Sequence, residues 1–230
     1  MNQVLYRHLG NISYANAYHF QENIFNRNVN IKAGKINNAE TENHFLLCEH
    51  HHVITIGKSG EQSNLLVNNE FLQNRGVEFY RTNRGGDITY HGPGQIVGYP
   101  VLDLEKLGLG VRSYSETLEE CIIEVLKNYN FSAGRINGMT GVWLDYQKAY
   151  KARKICAMGI RVSRYISMHG FAFNINTDLS YFNLIVPCGI SGKAVTSLKN
   201  EIGKEINMTE VVMYVKQSFE KVFGIKLVNQ

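Results

Sequence analysis

The chain has 230 residues, of which 44% are hydrophobic and 19% are charged. This composition excludes a disordered chain, and 21 glycines with only three prolines exclude a collagen-like one. Because single domains commonly reach this length, we expect one domain over residues 1–230. The 24 basic residues exceed the 20 acidic ones by only four and form no cluster, so the sequence gives no support for nucleic-acid binding.

The sequence carries no signal for a membrane or an oxidising compartment. No run approaches the roughly 20 apolar residues of a membrane helix, and the first eight residues lack the basic and apolar regions of a secretory signal. We therefore expect a cytoplasmic protein that binds no membrane. The cysteines are widely spaced and include no CxxC pair, so we expect free thiols and no metal; they are Cys48, Cys121, Cys156 and Cys188.

The first half of the chain predicts one helix and then short strands. Apolar residues from 13 to 29 recur at three- and four-residue spacing, which predicts an amphipathic helix with Ser13 as its N-cap. Short apolar and β-branched runs predict strands. These lie at 44–50, 53–58 and 77–82, with a short helix at 67–74 before the last of them.

The second half mixes strands with two helices. A strand at 96–104 contains Pro100, which places it at a sheet edge or a bulge. Ser113 and Glu116 have capping-box spacing and predict the start of a helix that runs to Tyr129. The remaining predicted elements are strands at 141–146, 154–163 and 169–176 and a helix at 210–223 that ends at Gly224. The pattern indicates an α+β fold.

A glycine-rich loop follows the strand at 77–82. Residues 84–95 read RGGDITYHGPGQ, with four glycines beside an arginine and a histidine. Glycines let a ligand approach backbone N–H groups, as an anionic or thioester substrate needs, although a hairpin could require them for turn geometry alone. Gly57-Lys58-Ser59 and Gly192-Lys193-Ala194 both lack the first glycine of a phosphate loop, so we expect no nucleotide cofactor.

Two cysteines are candidates for a nucleophile. Cys188 lies in a Pro-Cys-Gly bend, and Cys156 lies two residues after Lys154 on a predicted strand, where both side chains would share a face. A buried structural thiol is the alternative for each, and Cys121 falls on the apolar stripe of its helix. A thiolate needs a nearby cation, and the basic residues of this half include Lys154, Arg161, His169 and Lys193.

A metal site is the less favoured interpretation of one further group. Cys48, His50 and His52 alternate along a predicted strand and would project to one face, with His51 opposite. Thiolate and imidazole suit zinc, but no fourth ligand is indicated. We therefore favour a strand end with solvated imidazoles.

Two blocks of the sequence carry a family resemblance. RGGDITYHGPGQIVGYPVLDL and KICAMGIRVSRYISMHGFAFNINTDLSYFNLIVPCGI resemble the LipB-type octanoyltransferases, which start protein lipoylation, and the likeness extends from about Tyr14 to Leu198. The resemblance implies that Cys188 carries the acyl group as a thioester and that Lys154 lowers the pKa of Cys188. It also implies the mixed sheet flanked by helices of the lipoate and biotin protein ligase catalytic domains.

The resemblance also implies substrate contacts and partners. The implied substrate-binding residues are Arg84, Gly85, Gly86, Asp87, Ile88, Thr89, Tyr90, His91, Ala157, Met158, Gly159, Gly170, Phe171 and Ala172. The implied donor is octanoyl-acyl carrier protein, and the implied acceptors are lipoyl domains of 2-oxoacid dehydrogenase complexes and the glycine cleavage H protein. We expect a monomer. One departure is Glu49-His50-His51-His52, where the family tends to have Glu-His-Pro-Pro; it bears on the local loop conformation and not on the chemistry.

Two other functions are compatible with such a fold. An ATP-dependent lipoate ligase also has a glycine-rich loop and a lysine but needs no cysteine, and the PCG and HGPGQ elements argue against it. A non-catalytic module that binds acyl groups or lipoyl domains would be expected to lack Cys188, Lys154 or both. The sequence contains both residues.

Overall fold

The computed structural model describes residues 2–148, 150–186 and 194–230, and arranges them as two β-sheets with helices against the larger one. The strands are β1 Asn2–Ile12, β2 His44–His50, β3 Val53–Ile56, β4 Glu78–Arg81, β5 Ile88–His91, β6 Gln95–Val101, β7 Ala133–Ile136, β8 Met139–Leu144, β9 Arg153–Ser163, β10 Ile166–Asn174, β11 Ala194–Val195 and β12 Ile225–Asn229. The α-helices are α1 Tyr14–Lys32, α2 Asn69–Asn74, α3 Val111–Lys127, α4 Leu198–Ile202 and α5 Met208–Phe223.

The larger sheet is mixed. Within the described residues its strands follow the order β12-β1-β2-β6-β10-β9-β8-β7, and β11 pairs with β9. β1 runs parallel to both β2 and β12, whereas β6, β10 and β9 form an antiparallel centre. The predicted mixed sheet flanked by helices is therefore confirmed.

Helices α3 and α5 cover one face of this sheet. Phe45 of β2 and Phe171 and Phe173 of β10 point into the core that these helices close. The ring of Phe45 stacks on Phe219 of α5 with 4.0 Å between the ring centroids. Burial of such aromatic side chains stabilises the fold by about 1.5 to 3 kcal/mol each.

Helix α1 and the smaller sheet lie on the opposite face. Leu46, Cys48 and Ala172 alternate with the residues above and pack against α1. The smaller sheet has the order β4-β3-β5 and a core of its own, which contains Ile54, Ile56 and neighbours from the segment 179–185. This arrangement leaves a cleft between the two sheets.

The predicted helix starts are right at one helix and wrong at another. Ser13 caps α1 as expected, since its hydroxyl accepts the N–H of Asn16 at 3.3 Å. The predicted start of the long helix is three residues too late: the N-cap is Gly110 instead of Ser113, and the Ser113 hydroxyl accepts the Gly110 N–H at 3.0 Å. Gly224 ends α5 in the left-handed conformation, as predicted.

Pro100 does not lie on an edge strand. It belongs to β6, which pairs with β2 on one side and β10 on the other. Both expectations for Pro100 were wrong. There is no edge, and there is no bulge, because the pairs Gly98–Phe171 and Asp103–Ile166 on either side of the break keep the same register. The strand accommodates the missing N–H by a local break in its ladder with β10.

No helix among the described residues is long and apolar enough to cross a bilayer.

Candidate active site

A cleft of about 810 Å³, measured with its open mouth, separates the two sheets. β9 and β10 of the large sheet form one wall, and the glycine-rich loop with β5 forms the other. Tyr14 at the start of α1 and the β6 residues Gln95, Val97 and Tyr99 also line it.

Most of the residues that the resemblance implied for substrate binding line this cleft. They are Arg84, Gly86, Asp87, Ile88, Thr89, His91, Ala157, Met158, Gly159, Gly170, Phe171 and Ala172. The structure therefore brings together two sequence blocks that lie about 70 residues apart, because β10 pairs with β9 on one side and with β6 on the other. Their role in substrate binding stays a prediction.

Gly85 and Tyr90 are not among the lining residues. The Gly85 N–H donates to the carbonyl of Ile160 at 2.9 Å, which ties the loop to β9. Tyr90 is fully buried in the core of the smaller sheet, where its hydroxyl lies 2.7 Å from His52 Nδ1 and its ring stacks on Tyr181. Gly85 and Tyr90 therefore hold the walls of the cleft in place without lining it.

Arg84 is fixed at the back of the loop by the smaller sheet. Its Nη2 donates to the carbonyl of Thr55 at 2.7 Å and to the Thr55 hydroxyl at 2.9 Å. Gly57 is required beside it, since a Cβ at Gly57 would lie 2.9 Å from Arg84 Nη1. The guanidinium therefore reaches the cleft in one defined position.

Lys154 lines the cleft at the start of β9. Its Nζ donates to the carbonyl of Thr140 at 3.0 Å and lies 4.7 Å from the centre of the Trp143 ring. Its backbone is held by β11, since Val195 pairs with Lys154 and the Thr196 N–H donates to the Lys154 carbonyl at 2.9 Å. An ammonium group in this position can stabilise a nearby anion.

The expectation that Lys154 and Cys156 share a face is wrong. The register of β8 and β9 shifts here, so that Val142 pairs with Cys156 while its neighbour Trp143 pairs with Lys154. Ile155 and Cys156 are both buried in the core under α3 and α5, whereas Lys154 lines the cleft. Burial raises the pKa of the Cys156 thiol well above its ordinary range, so this thiol stays protonated.

The structure describes Cys121 but not Cys188. Cys121 lies on the buried face of α3, as expected, and burial raises the pKa of its thiol far above that of a free thiol. Cys188 and Lys193 lie outside the described residues. The segments on both sides of Cys188 are described: Ile185 forms a bridge with Leu65 of the smaller-sheet side, and Val195 pairs with Lys154.

A hydrogen-bonded row of polar side chains, which the sequence did not reveal, lines the floor of the cleft. His91 Nδ1 lies 2.8 Å from Gln95 Oε1, and Gln95 Nε2 donates to Asn174 Oδ1 at 2.8 Å. Asn174 in turn donates to the carbonyl of Thr196 at 3.0 Å. Burial, with the positive charge of Arg84 adding to it, lowers the pKa of His91 to about 3, so the imidazole is neutral.

His169 lies farther along β10 and lines the cleft as well. Its Nε2–H donates to Asn83 Oδ1 at 2.7 Å, since the Asn83 amide nitrogen already donates to the Tyr18 hydroxyl at 2.9 Å. Burial, together with Arg84 and Arg161, lowers the pKa of His169 to about 3. His169 is therefore neutral and offers no cation to a thiolate.

The alternating Cys48, His50 and His52 do not form one group. Cys48 Sγ lies 3.6 Å from His50 Nε2, but β2 ends at His50 and His52 turns toward Tyr90. In the described part of the chain, no three His, Cys, Asp or Glu side chains are placed to hold a metal ion.

The interpretation of solvated imidazoles was wrong for His50. His50 is fully buried, with Nδ1 2.9 Å from the carbonyl of Ile12 and Nε2 2.7 Å from the Tyr99 hydroxyl. Nδ1–H therefore donates and Nε2 accepts, and burial lowers the pKa of His50 to about 4. His50 acts as a buried support under Tyr99.

The arrangement suits an elongated apolar ligand with a reactive end at Lys154. Ala157 and Ala172 pair across β9 and β10 and leave room above the sheet, while Val97 adds apolar surface. The polar groups concentrate on the loop and the floor row. Such a cleft can bury an aliphatic chain and hold its polar end beside an ammonium group.

Comparison with protein families places most of the chain in one of them. Residues 13–220 match the lipoyl protein ligase A/B catalytic domain. An octanoyltransferase of Christiangramia forsetii is 49% identical over 232 residues, which cover 99% of each chain. An octanoyltransferase of Parabacteroides distasonis is 50% identical over 225 residues, covering 97% of this chain and 100% of that one.

Solved structures show the same fold at low sequence identity. A bi-partite lipoate protein ligase from Thermoplasma acidophilum superposes with a TM-score of 0.76 and 14% identity, covering 100% of this chain and 87% of the other. Lipoate-protein ligase A bound with ATP gives a TM-score of 0.71 at 15% identity, again over 100% and 87%. At these identities the likeness concerns the fold alone.

Proposed function

We propose, from its membership of the lipoyl protein ligase A/B catalytic domain family, that the chain transfers octanoyl groups in protein lipoylation. It is an acyltransferase, as its relatives over the full length indicate. The proposed donor is octanoyl-acyl carrier protein. The proposed acceptors are lysines on lipoyl domains of 2-oxoacid dehydrogenase complexes and on the glycine cleavage H protein.

The observation that supports this proposal most is the apolar cleft with Lys154 at its edge. An octanoyl chain has six methylenes, and burial of each contributes about 0.8 kcal/mol, so the whole chain gains roughly 5 kcal/mol. Ala157 and Ala172 leave the space that such a chain needs. A small polar substrate would gain nothing from these walls.

The first proposed step loads the enzyme. The Cys188 thiolate attacks the thioester carbonyl of the donor, the carbon–sulfur bond to the carrier's phosphopantetheine breaks, and the released thiolate takes up a proton. A free thiol with a pKa near 8.5 is mostly protonated at pH 7. An ammonium about 4 Å away at an effective dielectric of about 20 favours the thiolate by roughly 4 kcal/mol, so Lys154 is the group proposed to hold Cys188 ionised.

The second proposed step forms the amide. The acceptor lysine attacks the Cys188 thioester, the carbon–sulfur bond breaks, and the amine loses one proton. Because the acylated sulfur carries no charge, Lys154 loses its anionic partner at this stage and gives up a proton more easily. Lys154 is then the proposed base for the incoming amine.

Mass spectrometry of the intact protein tests the proposal. After incubation with octanoyl-acyl carrier protein alone, we expect the added mass of one octanoyl group, located on Cys188 by peptide mapping. Addition of a lipoyl domain should move that mass to the domain, without ATP or Mg²⁺. Transfer that starts only with ATP and free octanoate would instead establish a ligase, and binding without transfer would establish a non-catalytic module.

A further inference from the structure

Glu119 is a buried carboxylate outside the cleft. It lies on α3, its side chain is 7% exposed, and its Oε2 accepts Arg135 Nε at 2.9 Å. Its Oε1 accepts the N–H of Gly141 at 2.8 Å. Burial raises the pKa of Glu119, and the bonds from Gly141 and Arg135 oppose that rise. Nothing in the proposed transfer steps uses this carboxylate directly.

The Gly141 N–H belongs to the same planar peptide unit as the carbonyl of Thr140. That carbonyl accepts Lys154 Nζ at 3.0 Å. One peptide therefore has the Glu119 carboxylate at its N–H end and the Lys154 ammonium at its C=O end. Hydrogen bonds aligned in this way polarise one another, so the carboxylate strengthens the bond from the carbonyl to the lysine.

The backbone conformation at Gly141 allows the close approach of this peptide to Lys154. Gly141 has φ +126, a conformation that side-chain-bearing residues rarely adopt. A Cβ at Gly141 would lie 2.6 Å from the Cys156 carbonyl oxygen and 3.3 Å from Lys154 Cε. The irregular register between β8 and β9 passes through the same place. The peptide is thus held by the strand pair and oriented by Glu119.

We infer that Glu119 is a positioning residue for Lys154, which it holds and favours in the charged form through the Thr140–Gly141 peptide. The inference rests on the proposed function, in which Lys154 first stabilises a thiolate and later accepts a proton. An ammonium bound too loosely would not stay beside the nucleophile. The peptide allows the charge of Glu119 to act on Lys154 without placing a carboxylate in the cleft.

Other charged side chains lie near Glu119 and Lys154, and one of them provides a control. Arg135 bonds both Glu119 and Glu120 of α3, and its Nη2 also donates to the backbone carbonyl of Glu116 at 2.6 Å. On β9, Arg153 pairs with Asp145 and with Glu201 of α4. Glu120 is the matched control for Glu119, because it shares the helix, the charge and the arginine partner, while the Gly141 N–H bonds to Glu119.

The test compares Glu119→Gln with Glu120→Gln in the full chain. The glutamine in Glu119→Gln can still accept the Gly141 N–H but carries no charge. The pKa of Lys154 is measured by NMR on protein labelled with ¹³C at lysine Cε, with Lys154→Arg identifying the resonance. We expect Glu119→Gln to lower the pKa of Lys154 by about 0.5 to 1 unit and Glu120→Gln to leave it unchanged.

Steady-state rates give the second readout. Glu119→Gln should reduce kcat about tenfold with little change in KM for the octanoyl donor, since the acyl cleft is intact. Should this variant fail to fold, Glu119→Asp keeps the charge, withdraws the carboxylate by one methylene from Gly141 and should also reduce kcat. An unshifted Lys154 pKa, or equal effects of Glu119→Gln and Glu120→Gln, would overturn the inference.

The two proposals fail in different ways. If the wild-type protein transfers no octanoyl group, the proposed function is wrong, and the NMR comparison still decides whether Glu119 acts on Lys154. If the wild type is active and the Lys154 pKa ignores Glu119, only the positioning role is wrong.

Discussion

Pro100 of β6 takes the place opposite His169 of β10 when the register of the Gly98–Phe171 pair is continued, and the ladder between the two strands is interrupted there. Proline has no N–H to donate, and the N–H of His169 turns to Gln21 Oε1 of α1 at 3.2 Å. The Pro100 carbonyl accepts the Ser167 hydroxyl at 2.9 Å instead. His169 adopts φ +61, and its imidazole lines the cleft.

The left-handed backbone at His169 predicts an unusual order of stabilities. His169→Gly and His169→Ala both lose the hydrogen bond to Asn83, but glycine adopts this φ without a Cβ penalty. We expect the glycine variant to be more stable than the alanine variant by about 1 kcal/mol in urea unfolding. An alanine variant of equal or greater stability would show that the backbone is unstrained.

Substitution of single cysteines should separate the nucleophile from the buried thiols. Cys188→Ala is expected to abolish octanoyl transfer and acyl-enzyme formation without unfolding the chain. Cys156→Ala and Cys121→Ala should keep most activity, because both thiols lie in the core and burial keeps them protonated. Transfer assays of the three variants decide the point, and comparable losses in Cys156→Ala and Cys188→Ala would refute the assignment.

Replacement of Lys154 by arginine keeps the charge but removes a group that can release a proton. A guanidinium can stabilise a thiolate and stays protonated at all working pH values. We expect Lys154→Arg to slow the transfer to the lipoyl domain more than the loading of Cys188. Single-turnover measurements of the two steps separate them. An undisturbed second step would exclude a base role and leave the electrostatic role.

The acyl-chain preference should respond to Ala172, which lines the cleft beside Ala157, its pairing partner on β9. Ala172→Leu extends into the space between the sheets, so we expect a shift from octanoyl toward butanoyl donors in a competition assay. Thermal unfolding of the variant checks that the fold is intact. An unchanged preference for octanoyl would place the chain's path elsewhere.

Gly170 is unsuitable for the same experiment although it lines the cleft. A Cβ there would meet the backbone carbonyl oxygen of Gly98 on the neighbouring strand and lie 2.7 Å from Pro100 Cδ. Gly170→Leu should therefore destabilise the sheet and lose activity toward every chain length. A stable Gly170→Leu variant with altered preference would contradict this reading of the packing.

Buried histidines make the stability depend on pH. Burial lowers the folded-state pKa of His50 to about 4 and of His91 and His169 to about 3, whereas unfolded histidine titrates near 6.5. Below pH 6.5 the unfolded chain therefore binds more protons than the folded one. The free energy of unfolding should fall as pH decreases, with a slope that approaches about 1.4 kcal/mol per pH unit for each histidine.

Urea unfolding between pH 5 and 6.5 measures that slope. His50→Gln should reduce it by nearly one histidine's share, whatever the variant's absolute stability. His51→Gln is the matched control, because His51 is the exposed neighbour in the same run. A slope that is equal in the wild type and in His50→Gln would show that His50 is not held neutral in the fold.

The sequence by itself determined the start of α1 and the end of α5, whose signals lie within a few residues of each end. The periodicity after Ser13 predicted α1, Gly224 predicted the end of α5, and the two blocks that carry the family resemblance predicted which residues would line one cleft. These signals are local because a cap or a left-handed glycine depends on hydrogen bonds within a few residues. The family resemblance supplied what periodicity could not, which is the chemistry.

Only the tertiary structure decided where strands lie and which way their side chains point. Pro100 looked like an edge residue, but β10 supplies a partner strand that gives up one hydrogen bond at His169. Lys154 and Cys156 looked like neighbours on one face, but the register shift against β8 turns one into the cleft and the other into the core. The carboxylate of Glu119 reaches Gly141, 22 residues further along the chain, because α3 packs against β8. Pairing partners and bulges depend on contacts between distant segments, so no local pattern encodes them.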